Sequence, residues 1–208
     1  MTSWLHEQRL EAVLSILRER GAETVLDLGC GDGALLVGLA REPGIRRIVG
    51  VEQCIDALNT LRTRLDEAPA EARGKVELIH GSLLRPEGRL AGFDAAVLVE
   101  TIEHIEPDRL SLLEHAVFGT IRPETVAITT PNGDFNRLLG VPPHRLRHRD
   151  HRFEWDRAKF RNWAEGIARR NGYRAFCQDL GGAHPIHGGA SQMAVFQSRT
   201  SIRVPAAA

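Results

Sequence analysis

The apolar run Thr24-Val-Leu-Asp-Leu28 stops at Gly29-Cys-Gly-Asp-Gly33, and a helical pattern takes over from Ala34 to Arg41. A strand that turns this tightly into a helix does not continue as a hairpin. It crosses over to a parallel neighbour, with the helix packed on the sheet. Glycine supplies a backbone that turns sharply and lies flat against a ligand. The same alternation recurs downstream. Strands are expected over residues 47–51 (closed by Glu52), 76–80, 93–99 and 126–130, and helices over 55–67 and 108–118. After a helix over 156–171, strands at 173–179 and 192–197 flank a loop with Gly181, Gly182, Gly188 and Gly189, and are expected to pair as a hairpin at the sheet edge. Ahead of the first strand, a helix over residues 3–20 carries Trp4, Leu5, Leu10, Val13, Leu14 and Leu17 on one face, with Ser3 as its cap and Gly21 as its stop. The expected fold class is α/β: a seven-stranded, mostly parallel sheet with helices on both faces.

At 208 residues the chain reads as a single domain over 1–208, with a tail expected to fray from about residue 200. Twenty-seven basic and 27 acidic side chains cancel, so the whole molecule is no electrostatic glove for nucleic acid. The charge is unevenly spread: residues 145–170 hold nine Arg/Lys against four Asp/Glu, either a solvated helix face with a basic loop or a phosphate-facing strip. Cys30, Cys54 and Cys177 have no metal or disulfide spacing and read as reduced thiols of a cytoplasmic protein. No apolar run approaches the ~20 residues that span a bilayer, and no membrane association is expected.

The glycine turn alone leaves two cofactors open. Gly29-x-Gly31-x-x-Ala34 also fits a dinucleotide fingerprint, and Glu52 suits a ribose diol in either case. Two details favour S-adenosylmethionine. Asp27, two residues before the first glycine, offers an anion to the cofactor's amino group, where a pyrophosphate would be repelled. Gly33 adds a third glycine at alternate spacing. Together they resemble the D-x-G-x-G-x-G pattern of class I (Rossmann-like) methyltransferases. That resemblance places Ser82 and the Leu83 backbone beside the adenine, with Val99 among the cofactor-binding positions.

Two further segments carry metal-ligand side chains. Glu100-Thr-Ile-Glu103-His104 follows the fourth strand, and a helical turn there would bring its three polar side chains out on one side. Many metal-free methyltransferases of small metabolites share E-x-x-E-H, and Glu and His there also suit a helix cap. The second segment is Arg147-His-Arg-Asp-His151-Arg-Phe-Glu-Trp155. Its Phe153 and Trp155 either anchor it to the body or stack on a base, with anchoring the preferred role.

These two segments, with Thr130-Pro-Asn-Gly-Asp-Phe-Asn136 between them and Gln192-Met-Ala-Val-Phe196 in the last strand, resemble the small-RNA 3′-terminal ribose 2′-O-methyltransferases. The resemblance implies that Glu100, Glu103, His104 and His151 are the metal ligands and the catalytic residues, while His148 falls on no ligand position. It implies S-adenosylmethionine and one divalent ion, Mg²⁺ or Mn²⁺, and a substrate RNA with a free 3′-terminal 2′,3′-diol. His104 and His148 stand as proton acceptors without either being assigned. A separate RNA-repair or RNA-binding partner would supply grip on the RNA. The competing readings are a metal-independent methyltransferase of a quinone- or catechol-like metabolite, and a non-catalytic RNA-binding module.

Overall fold

The computed structural model describes residues 4–86 and 88–200. The expected Ser3 cap and the tail beyond Thr200 lie outside the described residues. The elements run α1 (Trp4–Glu19), β1 (Thr24–Leu28), α2 (Ala34–Arg41), β2 (Arg47–Glu52), α3 (Ile55–Asp66), α4 (Ala70–Arg73), β3 (Val76–His80), β4 (Ala95–Val99), α5 (Leu110–Glu114), β5 (Thr125–Pro131), α6 (Arg157–Asn171), β6 (Tyr173–Leu180) and β7 (Ser191–Ser198). Single 3₁₀ turns at Gly88–Leu90, Ile102–His104 and Pro107–Arg109, and a longer one over Gly133–Leu139, complete the set with one π-helical stretch.

The seven strands form one sheet in the order β3-β2-β1-β4-β5-β7-β6. All pairings are parallel except β5 with β7 and β6 with β7. This is the expected architecture, with the Gly-rich hairpin at its edge. The central strands are mainly apolar because both faces are covered. Leu26, Leu28, Ala96, Leu98 and Ile128 face a core containing Phe118, Trp155, Phe160 and Ile167. Val25, Ile48, Val97 and Ala127 face the other, with Val13, Leu17, Leu36, Leu39, Leu58 and Leu61.

Two expectations change in detail. Strand β4 begins at Ala95, because Asp94 turns back to accept hydrogen bonds from the Glu23 and Thr24 N–H groups at 3.0 and 2.8 Å. The helix expected over 108–118 is broken into the Pro107–Arg109 turn, α5, and the π-helical stretch His115–Ile121. Proline at the first position starts that run, and Arg122, left-handed at φ 51° ahead of Pro123, ends it. Strand order reverses between β1 and β4, so a crevice opens beyond their carboxyl ends, where open α/β sheets bind ligands.

Candidate active site

A cleft of about 660 Å³ occupies that crevice. Gly29, Gly31, Glu52, Ser82 and Leu83 line one side, and Glu100, Thr101 and His104 the other. Glu52, at the end of β2, accepts from the Gly31 and Cys54 N–H groups at 3.0 and 2.8 Å, which fixes its carboxylate across the glycine turn. The three glycines serve different ends. A Cβ on Gly29 would lie 2.6 Å from the Thr101 side chain, and one on Gly33 would strike Leu61. A Cβ on Gly31 would meet nothing within 4 Å, so its missing side chain leaves room for a ligand. Val99 is not part of the cleft wall and packs with the core on the α1–α3 side.

Asp27 is buried beneath the turn, and its Oδ2 has no hydrogen-bond partner among the described residues. An orphaned buried carboxylate oxygen is costly unless a cation or donor arrives, so the residues fit a ligand with an amino group. Burial, with repulsion from Glu52, pushes the Asp27 carboxyl up to about 7. An acid whose pKa folding raises binds its proton more tightly in the native state. Its stabilising effect is therefore complete at low pH, and is lost as pH rises from about 4 through 7, by up to about 4 kcal/mol. Asp27→Asn is expected to raise the Tm of the ligand-free domain by several degrees at pH 8 and by much less at pH 5, while removing cofactor binding. Thermal unfolding at the two pH values checks this; an equal effect at both would contradict it.

The second half of the site is built from β4, the Ile102–His104 turn and the 147–155 segment. Glu103 is fully buried; its Oε2 accepts from Thr130 Oγ1 at 2.9 Å, and its Oε1 has no partner among the described residues. Burial and the neighbouring Glu100 push its carboxyl well above the usual range. Ligand atoms of Glu103, His104 and His151 all lie within 4.8 Å of one another. The two segments, fifty residues apart in sequence, are joined by the Arg152 N–H donating to the Glu103 carbonyl at 2.7 Å.

Both imidazoles are oriented from behind. His104 Nδ1 donates to the Asp150 carbonyl at 3.3 Å, and His151 Nδ1 to Glu154 Oε1 at 2.5 Å. Because a carbonyl and a carboxylate only accept, the proton sits on Nδ1 and each Nε2 is free as a ligand. Burial and the neighbouring His151 lower the His104 pKa, which favours the neutral form that a metal needs. Burial alone would raise the Glu154 carboxyl, but hydrogen bonds from His151, Asn136 and the Arg147 N–H carry it below the usual range. An orphaned acceptor beside two imidazoles, each with its Nε2 turned from the hydrogen bond behind it, is a donor set that suits a divalent cation.

Glu100 is placed differently from its expected companions. It sits just past β4 with a left-handed backbone, φ 51°, uncommon for a non-glycine residue and typical of functional turns. Its Oε1 accepts from Thr129 Oγ1 at 3.0 Å, and its Oε2 lies 3.4 Å from Arg9 Nη1 of α1. The helical turn that follows therefore gathers Glu103 and His104 with His151, while Glu100 pairs with Arg9. The ring of His148 stands 5.6 Å from that of His151, alongside the cluster. Phe153 and Trp155 are buried and stacked at 4.2 Å, which is the anchoring role expected of them.

Sequence reasoning missed Arg9, Thr129, Glu154 and Arg147. Arg147 is a hub: it donates to Asn136 Oδ1 at 2.6 Å, to the Ala190 carbonyl at 2.7 Å and to the Asn132 carbonyl. Arg9 had one available signal. It falls at i+4 between Leu5 and Val13, a cation inside the apolar stripe of α1.

Comparison with known proteins agrees with this fold. Residues 25–124 match the family model described as a methyltransferase domain. The small RNA 2′-O-methyltransferase of Mus musculus is 38% identical over 176 residues, covering 82% of this chain and 44% of that protein. The chain thus spans under half the length of that curated relative. Among solved structures, the methyltransferase domain of bacterial CtHen1-CN is 35% identical with a TM-score of 0.84, covering 93% of this chain and 99% of that one. The small RNA methyltransferase HEN1 is 33% identical with a TM-score of 0.86, covering 94% of this chain and 25% of that one. On this likeness over nearly its whole length, the chain belongs to the family of small RNA 2′-O-methyltransferases.

Proposed function

We propose that this chain transfers the methyl group of S-adenosylmethionine to the 2′-hydroxyl of the 3′-terminal nucleotide of an RNA, with one divalent ion held by Glu100, Glu103, His104 and His151. The observation that carries the reading is the Glu103–His104–His151 group, in which the orphaned carboxylate oxygen of buried Glu103 meets two imidazoles, His104 lining the cleft itself. S-adenosylmethionine supplies an electrophilic methyl group on a sulfonium. The divalent ion supplies a Lewis acid that lowers a hydroxyl pKa and offers vacant positions to a 2′,3′-diol.

The chain's own residues do the positioning, which is the main demand of an in-line displacement. Asp27 would receive the cofactor's amino group and Glu52, held in place by the Gly31 and Cys54 amides, its ribose. Ser82 and Leu83 flank the base. Glu154 and the Asp150 carbonyl aim His151 and His104 at one point. Glu100 would complete the ligand set if it left Arg9, and the Arg9 guanidinium would then be a cation available to the substrate. Mixed nitrogen and oxygen donors suit Mn²⁺ at least as well as Mg²⁺. A separate RNA-binding or RNA-repair partner would hold the body of the RNA.

The test is methyl incorporation into an RNA with a free 3′ diol, compared with its 3′-terminal 2′-deoxy and 3′-phosphate counterparts, before and after EDTA. Incorporation is expected only in the diol RNA, lost with EDTA and restored by Mn²⁺. Equal labelling of the deoxy RNA would remove the diol from the reading. Recovery with Mg²⁺ but not Mn²⁺ would overturn the assigned ligand set.

A further inference from the structure

Between Phe135 and Arg149 the chain has no Asp or Glu and four arginines. Both ends of this stretch are clamped on one residue: Glu154 accepts from Asn136 Nδ2 at 2.6 Å and from the Arg147 N–H at 2.7 Å. Arg147 Nε also donates to Asn136 Oδ1 at 2.6 Å. Residues 137–146 therefore form a closed loop whose base rests on the carboxylate that holds His151. Pro142 and Pro143 restrict the loop's backbone. Arg137 and Arg145 are exposed, and among the described residues neither has a carboxylate partner. Beside them Leu138, Leu139 and Leu146 are 48%, 47% and 38% exposed, an apolar group left in water at the edge of the site.

We infer that this loop is the RNA grip of the domain: Arg137 and Arg145 hold phosphates of the nucleotides preceding the 3′ end, and the leucines contact the faces of their bases. This rests on the proposed RNA substrate and goes beyond it in naming the surface. Charge complementarity selects a polyanion over a neutral partner, since an acid-free, unpaired pair of guanidiniums beside a reactive centre matches a phosphodiester strand. Aliphatic contact with base faces requires unstacked bases, so the bound strand is single stranded near its end. The clamp on Glu154 sets the loop at a fixed distance from His151, so that gripping the strand brings the terminal ribose into register.

The experiment uses the full chain, a 5′-labelled single-stranded RNA with a free 3′ diol, and a diol-bearing dinucleotide too short to reach the loop. The double variant Arg137→Gln/Arg145→Gln is expected to raise KM for the longer RNA about tenfold or more, with kcat, cofactor affinity and KM for the dinucleotide within twofold. By fluorescence anisotropy, the dependence of log affinity on log salt should flatten by about 1.4, some 0.7 for each lost phosphate contact. Leu138→Ser/Leu139→Ser should weaken RNA binding without changing that slope. If the wild type methylates the longer RNA and the arginine variant does so with unchanged KM and slope, the grip is wrong while the proposed function stands. Absence of methylation by the wild type would defeat the proposed function itself; anisotropy would still judge the loop. If the leucine variant instead changes self-association or binding of another protein, with RNA affinity intact, the loop is a protein-docking surface and the inference is overturned.

Discussion

His151→Ala is expected to lower methyl transfer to RNA by a factor on the order of 10³ or more, while S-adenosylmethionine still binds within about twofold. The two effects separate because the imidazole belongs to the 147–155 segment, whereas the cofactor side of the cleft is built from the glycine turn, Glu52 and Ser82. Removing the ring leaves Glu103 Oε1 with one fewer neighbour to share a cation and leaves Glu154 without the hydrogen bond that lowers its pKa. Glu100→Ala should behave alike in turnover, since the proposed site needs that carboxylate once it leaves Arg9. Glu154→Gln is the milder member of the series. It keeps an acceptor for His151 Nδ1 but removes the charge, and losses of about 10–100-fold in metal affinity are typical of such an outer partner. Mn²⁺ titration followed by electron paramagnetic resonance reads the metal directly, apart from turnover. Near-normal turnover in His151→Ala, or unchanged Mn²⁺ affinity in both variants, would remove these residues from the proposed metal centre.

The parts of this site differ in how far the sequence reveals them, for physical reasons. Strand ends are legible because an apolar run buried on both faces must stop where the backbone reaches a ligand; Gly29, Glu52, Ser82 and Glu100 all mark such stops. Glu103, His104 and His151 are legible by residue type and by resemblance, but their meeting is made by hydrogen bonds to backbone carbonyls across nearly fifty residues, Arg152 N–H to Glu103 O and His104 Nδ1 to Asp150 O. The partners that orient them were not legible. Thr129 and Thr130 alternate faces on β5, yet they serve two different carboxylates, Glu100 and Glu103. The role of Arg147 comes from carbonyls of Asn132 and Ala190, which carry no side-chain signature at all. The helix over 108–118 failed as a single element because apolar spacing reports a buried face and says little about whether the backbone hydrogen bonds run i to i+3, i+4 or i+5.

Gly31→Val is expected to lower S-adenosylmethionine affinity by roughly 5- to 150-fold while leaving the domain folded. The residue has φ +54°, and the space where a Cβ would stand is open. A valine there carries two separate costs. The left-handed backbone penalises any side chain by on the order of 1–2 kcal/mol, and the branched carbon fills room that the cofactor must use, a further ~1–3 kcal/mol. Gly21 separates the two. It has φ +61°, its missing Cβ also meets nothing within 4 Å, and it lies between α1 and β1, away from the cleft lining. Gly21→Val should therefore show a similar fall in thermal stability with cofactor affinity unchanged. Gly29→Ala tests the opposite case: its methyl group would press on Thr101, beside Glu100, so it should disturb the proposed metal side of the site as well as the fold. Calorimetric titration with S-adenosylmethionine alongside thermal unfolding distinguishes the three variants. If Gly31→Val lost stability like Gly21→Val but bound the cofactor normally, the open space above Gly31 would not be the cofactor's seat.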